Sequence, residues 1–406
     1  MKSTFLIEMQ ERGYLNQCTD LEKLDVILSK KSVPAYIGFD CTASSLHVGS
    51  LLQIMILRLL QKHGHKPIVL LGGGTTLIGD PSGKDVTRKI LKHRDIKKNI
   101  SGIKKLFEKL LKFNNKTTKP IFVDNYSWLG KLNYIDFLRN IGSQFTLNKM
   151  LTFDSVKSRL EREQSLSYME FNYMILQAFD FYKLYEKEKC LLHLGCSDQW
   201  GNIVNGVELI KRYSNKQVYG LTTPLITLAS GEKMGKTADG AIWLDKKLLS
   251  SYDYWQFWRN TDDRDVIKFL KFFTDIEINE IENIKDNDIN HLKILLANKT
   301  TDMLHGNKEA LACEKIARET FSENSTGLNL PSIKINKEKI DIISLILSTK
   351  LESSKSEIRR LIKGNAVKIN NEVIKDDQFV IIKKGLNESF VKLSIGKKRH
   401  LKINFN

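Results

Sequence analysis

Through the first 230 or so residues, short apolar runs alternate with longer stretches of helical period, and this rhythm leaves few folds open. Ala35-Tyr36-Ile37-Gly38-Phe39 and Pro67-Ile68-Val69-Leu70-Leu71 read as buried strands, and Ile121–Val123 and Leu191–Leu194 as two more. Between them the pattern predicts helices over Leu51–Gln61 and near residues 96–113, 169–187 and 201–213. Strands that alternate with helices build a parallel sheet covered on both faces, so a Rossmann-like doubly wound α/β domain is expected. Ligands of such sheets bind beyond the carboxyl ends of the strands, here the loops Asp40–Gly49 and Gly72–Lys84.

The rhythm then stops. From about Ser250 to Glu323 the pattern is helical and strand-poor, and Ser322–Lys339 is polar enough to read as a linker. The expected division is a catalytic domain over 1–245, a helical domain over 246–325, a linker over 326–340 and a small α+β unit over 341–406. In that last unit Ile358, Leu361 and Ile362 fall at i, i+3 and i+4 of a helix that Gly364 would end at C′. A hairpin is expected around Asn370-Asn371. Charge adds a partner class: 64 Lys+Arg against 47 Asp+Glu give a net +17. Residues 341–406 hold 14 basic against 7 acidic side chains, a net of +7 in one-sixth of the chain. That concentration is the footprint of a nucleic-acid partner.

Other classes drop out. No run of about 18 apolar residues is present, and Leu51–Leu60 is broken by Gln53 and Arg58, so no membrane partner is expected. Met1–Tyr14 lacks the apolar core of a signal peptide. The five cysteines are scattered and never spaced C-x-x-C, which fits a reducing cytoplasm and neither a disulfide framework nor a zinc knuckle.

Four segments carry chemistry. Asp40-Cys41-Thr42-Ala43-Ser44-Ser45-Leu46-His47-Val48-Gly49-Ser50 leaves a strand and enters a helix. Small hydroxyl residues and glycine let a phosphate approach the helix N-terminus, and His47 could donate to its oxygens; the same segment also reads as an ordinary turn with a capping serine. Gly231-Glu232-Lys233-Met234-Gly235-Lys236-Thr237 sets two lysines three apart, able to follow charge that develops on a leaving pyrophosphate. A P-loop would need glycine where Ser230 stands, and Gly79–Asp85 lacks a hydroxyl residue after Lys84. Tyr173, Gln177 and Asp180 share one helical face, either as a polar stripe that meets a ligand or as a solvated face. Gly195-Cys196-Ser197-Asp198-Gln199-Trp200-Gly201-Asn202 joins another strand to a helix, and Asp198 could accept from a ribose hydroxyl.

In their order these segments resemble bacterial-type tyrosyl-tRNA synthetase, a class I aminoacyl-tRNA synthetase. The likeness runs from Tyr-x-Gly-x-Asp-x-Thr-Ala through Gly-Asp-Pro-Ser-Gly-Lys, Tyr-x-x-x-Gln-Ala-x-Asp, Ser-Asp-Gln-Trp-Gly-Asn and Lys-Met-Gly-Lys-Thr. It ends in an S4-like tail with Ser354-Lys355-Ser356-Glu357-x-Arg359-Arg360. The resemblance implies that ATP, accompanied by Mg²⁺ and with no tightly bound cofactor, and L-tyrosine form tyrosyl-adenylate, from which tRNA(Tyr) is charged. Thr42 and His47 would then bind the ATP phosphates, and Lys84, Arg88, Lys233, Lys236 and Thr237 would stabilise departing pyrophosphate. Asp80, Tyr173 and Gln177 would hold the tyrosine ammonium, Tyr36 and Asp180 its phenol, and Gln199 its carboxylate. Asp40, Gly49, Ser50, Gly195, Asp198 and Lys236 would line the nucleotide. Lys355, Arg359, Arg360 and Lys363 would grip RNA, and a homodimer would form through an insert around residues 120–170. No metal ligands are visible in the sequence.

The chain departs from that pattern at Ser50, Cys41, Cys196 and Gly235, where such proteins commonly carry histidine, proline, glycine and serine. None of the four changes removes a charged group. A tryptophanyl-tRNA synthetase is the first rival, and Tyr36 with Asp180 speaks against it because an indole has no hydroxyl. An RNA-binding protein built on a dead synthetase would be expected to have lost His47, Lys233 or Lys236, and all three are present.

Overall fold

In the computed structural model the residues described are 1–80, 91–231, 234–237, 240–321, 332–349, 351–352, 354–383, 390–396 and 399–405, with backbone alone at Asp154, Ser155, Lys236, Thr237, Thr320 and Phe321. The chain divides into two compact units, Met1–Ala310 and Leu311–Asn406.

The first unit is built on a six-stranded sheet. Its strands are β1 (Gln17–Cys18), β2 (Pro34–Phe39), β3 (Lys66–Leu71), β4 (Ile121–Asp124), β5 (Leu192–Cys196) and β6 (Tyr219–Thr223), in the order β1-β6-β5-β2-β3-β4. All neighbours are parallel except β1, which runs antiparallel to β6. The doubly wound parallel sheet expected from the sequence is therefore present. From β2 the chain winds through β3 to β4, then returns to lay β5 on the other side of β2. The strand order reverses between β2 and β5, so the loops leaving their carboxyl ends part there and open a crevice.

Helices cover the sheet. Within α1 (Thr4–Arg12) and α2 (Leu51–Lys62) most side chains are buried, and α3 (His93–Leu110) buries one stripe from Ile96 to Leu110. Two later helices matter most for the site: α4 (Tyr173–Glu188) and α5 (Trp200–Ser214), which pack on each other. Both end on a left-handed residue, Lys189 (φ 54°) and Asn215 (φ 50°). Strands β1 and β6 were not anticipated, since β1 has two residues and three of the five in Tyr219–Thr223 are threonine or glycine.

The helical segment after Ser250 belongs to this same unit. It comprises α6 (Ser251–Arg259), α7 (Val266–Phe273) and α8 (Ile289–His305). Arg12 donates to the carbonyls of Lys271, Thr274 and Ile276, and the Tyr14 hydroxyl donates to that of Phe272, so the N-terminal helix satisfies the open end of α7. Arg12 also pairs with Glu8, which accepts from Lys62 and faces His63 as well. Burial alone would raise the Glu8 pKa, but hydrogen bonds from His63, Lys62 and Arg12 outweigh it and bring it down to about 2.

In the second unit, two helices, Ile342–Ser348 and Lys355–Lys363, share a core of isoleucine, valine and leucine with a five-stranded sheet. The strands lie in the order 372–373, 367–369, 390–395, 399–405, 332–335. Part of the stretch read from sequence as linker, 326–340, is thus strand, Ser332–Ile335 and the start of Lys339–Asp341: Ile335 is buried, and the lysines around it hide the short alternation. The hairpin at Asn370-Asn371 is present, with φ positive at both residues as a primed turn requires. The second helix closes one residue later than expected: Gly364 has φ −79°, and Asn365 takes the left-handed position at 55°.

Candidate active site

The crevice between β2 and β5 gathers side chains from four segments that are distant in sequence. At its floor lies Asp180 on α4, 1% exposed. Its two oxygens accept from the Asn125 amide (2.8 Å) and the Trp128 indole (2.7 Å), both just past the end of β4. Asn125 is itself held, accepting from the Gly74 amide at 2.7 Å and donating to the Thr75 hydroxyl at 3.0 Å. Burial raises the Asp180 pKa to about 7 against those two hydrogen bonds, and the charge of Asp124 adds to the rise. Tyr36 of β2 is fully buried nearby; burial and then the Asp180 charge push its phenol well above its ordinary pKa. The Tyr36 hydroxyl is hydrogen-bonded to His193 Nδ1, at 2.9 Å.

Above this floor runs an amide network. Gln199 donates to Asp80 (3.0 Å) and accepts from Gln177 (3.2 Å), while Asn202 donates to both glutamines at 3.0 Å. Three of the expected ammonium and carboxylate ligands are thereby brought together, and the polar stripe of α4 faces the interior, with Tyr173 and Asp180 buried and Gln177 half-buried between them. Tyr173 opens that helix, also buried.

The rim is made of turns. His47 does what a capping serine was expected to do: its Nδ1 accepts from the Gly49 amide at 3.0 Å, whereas Ser50 makes no side-chain cap. Backbone bonds tie this turn to the segment after the lysine loop, from Val48 to Ile242 (2.8 Å) and from Leu244 to Leu46 (3.0 Å). Gly235 lies directly on it at φ 102°, where a Cβ would stand 2.6 Å from the Gly49 nitrogen and 2.9 Å from His47 Nδ1. Only glycine permits that approach. Lys236 and Thr237 pair with Ala241 and Gly240 in a short ribbon. Lys84, Arg88 and Lys233 lie outside the described residues, as do the side chains of Lys236 and Thr237.

Asp40 follows β2, Thr42 is exposed, and Gly195 and Asp198 stand at the end of β5 and in the turn after it. Cys196 Sγ is 2.9 Å from the Gln53 amide nitrogen, and burial lifts its pKa to about 11; burial lifts Cys41 to about 12. Both thiols stay protonated near neutral pH and are poor nucleophiles. No three His, Cys, Asp or Glu side chains cluster as a metal site among the described residues.

In the second unit the helix Lys355–Lys363 buries Ile358 and Ile362 and leaves Lys355, Arg359, Arg360 and Lys363 exposed. Arg359 pairs with Asp377 and Arg360 with Glu357, while Lys355 and Lys363 make no ion pair among the described residues.

Sequence reading did not single out Asn125, Trp128, His193 or Asn202. Asn202 closes a quoted motif and could have been named; the others become visible only once β4 and β5 are aligned with β2.

The chain is similar to known proteins over nearly its whole length. Residues 28–322 match the family of class I tRNA synthetases (W and Y), and residues 323–403 match the tyrosine–tRNA ligase SYY-like C-terminal domain. A tyrosine–tRNA ligase of Pelagibacter ubique is 67% identical over 98% of both chains. One of Rickettsia prowazekii is 50% identical over 98% of this chain and 99% of its own. Among solved structures, a C-terminally truncated mitochondrial tyrosyl-tRNA synthetase of Aspergillus nidulans superposes with a TM-score of 0.71 at 30% identity. That match covers 79% of this chain and 95% of the other.

Proposed function

The chain belongs to the tyrosyl-tRNA synthetases of class I, and from that premise we propose how its crevice carries out the two steps. The activity is tyrosine–tRNA ligation: ATP and L-tyrosine give tyrosyl-adenylate and pyrophosphate, and the tyrosyl group then passes to the 3′-terminal ribose of tRNA(Tyr).

The observation that carries the site assignment is the buried Asp180 carboxylate beside Tyr36. A carboxylate offers about four acceptor positions, and Asn125 and Trp128 occupy two of them. The rest can take the proton of a substrate phenol while the Tyr36 hydroxyl meets its oxygen. A site satisfied this way rejects phenylalanine, which would leave its buried polar groups unpaired. Asp80, Tyr173 and Gln177 receive the ammonium group, and Gln199 places the carboxylate.

Asp40, Gly49, Ser50, Gly195, Asp198 and Lys236 hold the nucleotide, which enters as Mg²⁺–ATP. Thr42 and His47 bind its phosphates; Lys84, Arg88, Lys233, Lys236 and Thr237 meet the charge that grows on pyrophosphate as the bond to the α-phosphate breaks. No covalent intermediate with the protein is needed. Both substrates are bound in line, and the rate comes from positioning and charge stabilisation.

The exposed cations of the helix Lys355–Lys363 contact tRNA phosphates, giving affinity without reading sequence. Residues 126–168 expose the large apolar side chains Tyr134, Ile135 (67%), Leu147, Leu160 and Tyr168 (65%), which a second copy of the chain would cover. The enzyme would work as a homodimer in the cytoplasm.

Amino-acid-dependent ATP–pyrophosphate exchange tests the reading. Tyrosine is expected to support exchange, and phenylalanine and tryptophan are not. Exchange with another amino acid instead, or none with tyrosine, overturns it.

A further inference from the structure

The register of β2 against β5 brings into the tyrosine site a residue that no motif pointed to. Tyr36 and His193 are direct partners across these parallel strands, so their side chains leave the sheet on the same face. The rings stack with centroids 4.1 Å apart and planes 23° from parallel. Phe181 packs against both, at 5.3 Å from Tyr36 and 5.4 Å from His193. His193 is 2% exposed, and burial pushes its pKa down to about 3, so the imidazole is neutral and only one ring nitrogen carries a proton.

Proton counting then decides what the 2.9 Å contact between Tyr36 and His193 can mean. If Tyr36 donates to Nδ1, its own oxygen can only accept from a guest. If Nδ1–H donates to Tyr36, the tyrosine proton is left for a guest oxygen. The guest phenol also has one proton. Asp180 already accepts through both oxygens, which is the arrangement of its ionised form; with its pKa raised to about 7 that form prevails above neutrality, and there it can only accept. The phenol proton therefore goes to Asp180, and the phenol oxygen needs a donor.

Resting on the phenol site described above, we propose that His193 is a specificity-determining positioning residue. Its Nδ1–H donates to the Tyr36 oxygen and fixes Tyr36 as the donor to the substrate phenol. The result is a one-way relay from His193 to Tyr36, to tyrosine, to Asp180, and phenylalanine cannot complete it.

The test is kcat/KM for ATP–pyrophosphate exchange with tyrosine and with phenylalanine, in full-length wild type, Tyr36→Phe, His193→Phe and the double variant. Losing one neutral hydrogen bond corresponds to roughly tenfold. His193→Phe is expected to lower the tyrosine value about tenfold and leave the phenylalanine value within about twofold. The double variant is expected to lose no more than Tyr36→Phe alone, because His193 acts through Tyr36. His193→Gln, whose amide can replace the Nδ1 donor, is expected to recover most of the tyrosine value. His193→Leu serves the same comparison if the phenylalanine ring does not fold into place. Equal losses for both amino acids, additive losses in the double variant, or no recovery with glutamine would overturn the relay. The two readings fail differently: if Tyr36→Phe leaves the tyrosine-to-phenylalanine ratio unchanged, the phenol site itself falls. If that ratio drops in Tyr36→Phe but not in His193→Phe, only the relay falls.

Discussion

The floor and the rim of the crevice are built on opposite terms. At the floor, side chains from β2, β5, α4 and the segment after β4 meet in fixed pairs: Asp180 with Asn125 and Trp128, Tyr36 with His193. At the rim, backbone meets backbone, with Gly235 lying on the Gly49 turn and Val48 and Leu244 tied across to Ile242 and Leu46. The difference matches two tasks. Recognition of a small guest needs groups held within a fraction of an ångström by packed elements. On the proposed reading, departing pyrophosphate is met by cations beside that turn, whose close approach requires glycine at 235.

Four substitutions would sharpen this contrast or break it. Lys236→Ala is expected to have the largest effect, lowering tyrosine-dependent exchange roughly 10²–10³-fold, the scale of removing one preorganised charge-stabilising donor. Tyrosine affinity measured by equilibrium dialysis should stay within about twofold of wild type, and a matching loss of affinity would erase the division between rim and floor. Asp180→Asn comes next, with tyrosine kcat/KM falling about 10–100-fold, as expected for a hydrogen bond to a charged group. The phenylalanine value should change far less; a parallel drop would mean that the floor had merely been disrupted.

Gly235→Ala should reduce kcat about tenfold, since a Cβ there forces the rim backbone apart. Its tyrosine dissociation constant should not move, and a shift in it would join the two regions into one. Glu8→Gln lies outside both, so exchange at saturating substrates should be unaffected. Its effect is on stability: Glu8 has its folded pKa depressed from 4.5 to about 2, so the contribution is complete above about pH 4.5 and disappears as pH falls toward 2. A loss of up to about 2 kcal/mol at pH 7, discounted for solvent screening, that fades as the pH falls to about 2 is expected in urea titrations. An equal deficit at both pH values would mean that packing, not charge, is what Glu8 supplies.

Much of the first unit was legible because its strands and helices satisfy the local rules. The apolar runs at 35–39 and 67–71 read as buried strands and are, each strand starting one residue earlier, and α2 begins and ends within a residue of its pattern. The site's amide network was half legible: Asp80, Gln177 and Gln199 stood in recognisable motifs, and their meeting confirms that those motifs face one crevice. The strands at 219–223 and 332–335 were not legible, because threonine, glycine and lysine mask a burial that tertiary partners impose.

Composition and spacing alone thus settled the sheet class, the order of the motifs and the basic C-terminal helix, since each follows from periodicity within a dozen residues. Which side chains share a proton was decided only by the tertiary structure. Asn125 lies 55 positions from Asp180 and His193 lies 157 from Tyr36, so no local pattern can carry either pairing. Strand order and register bring those atoms to within 3 Å, and hydrogen bonds act over little more than that.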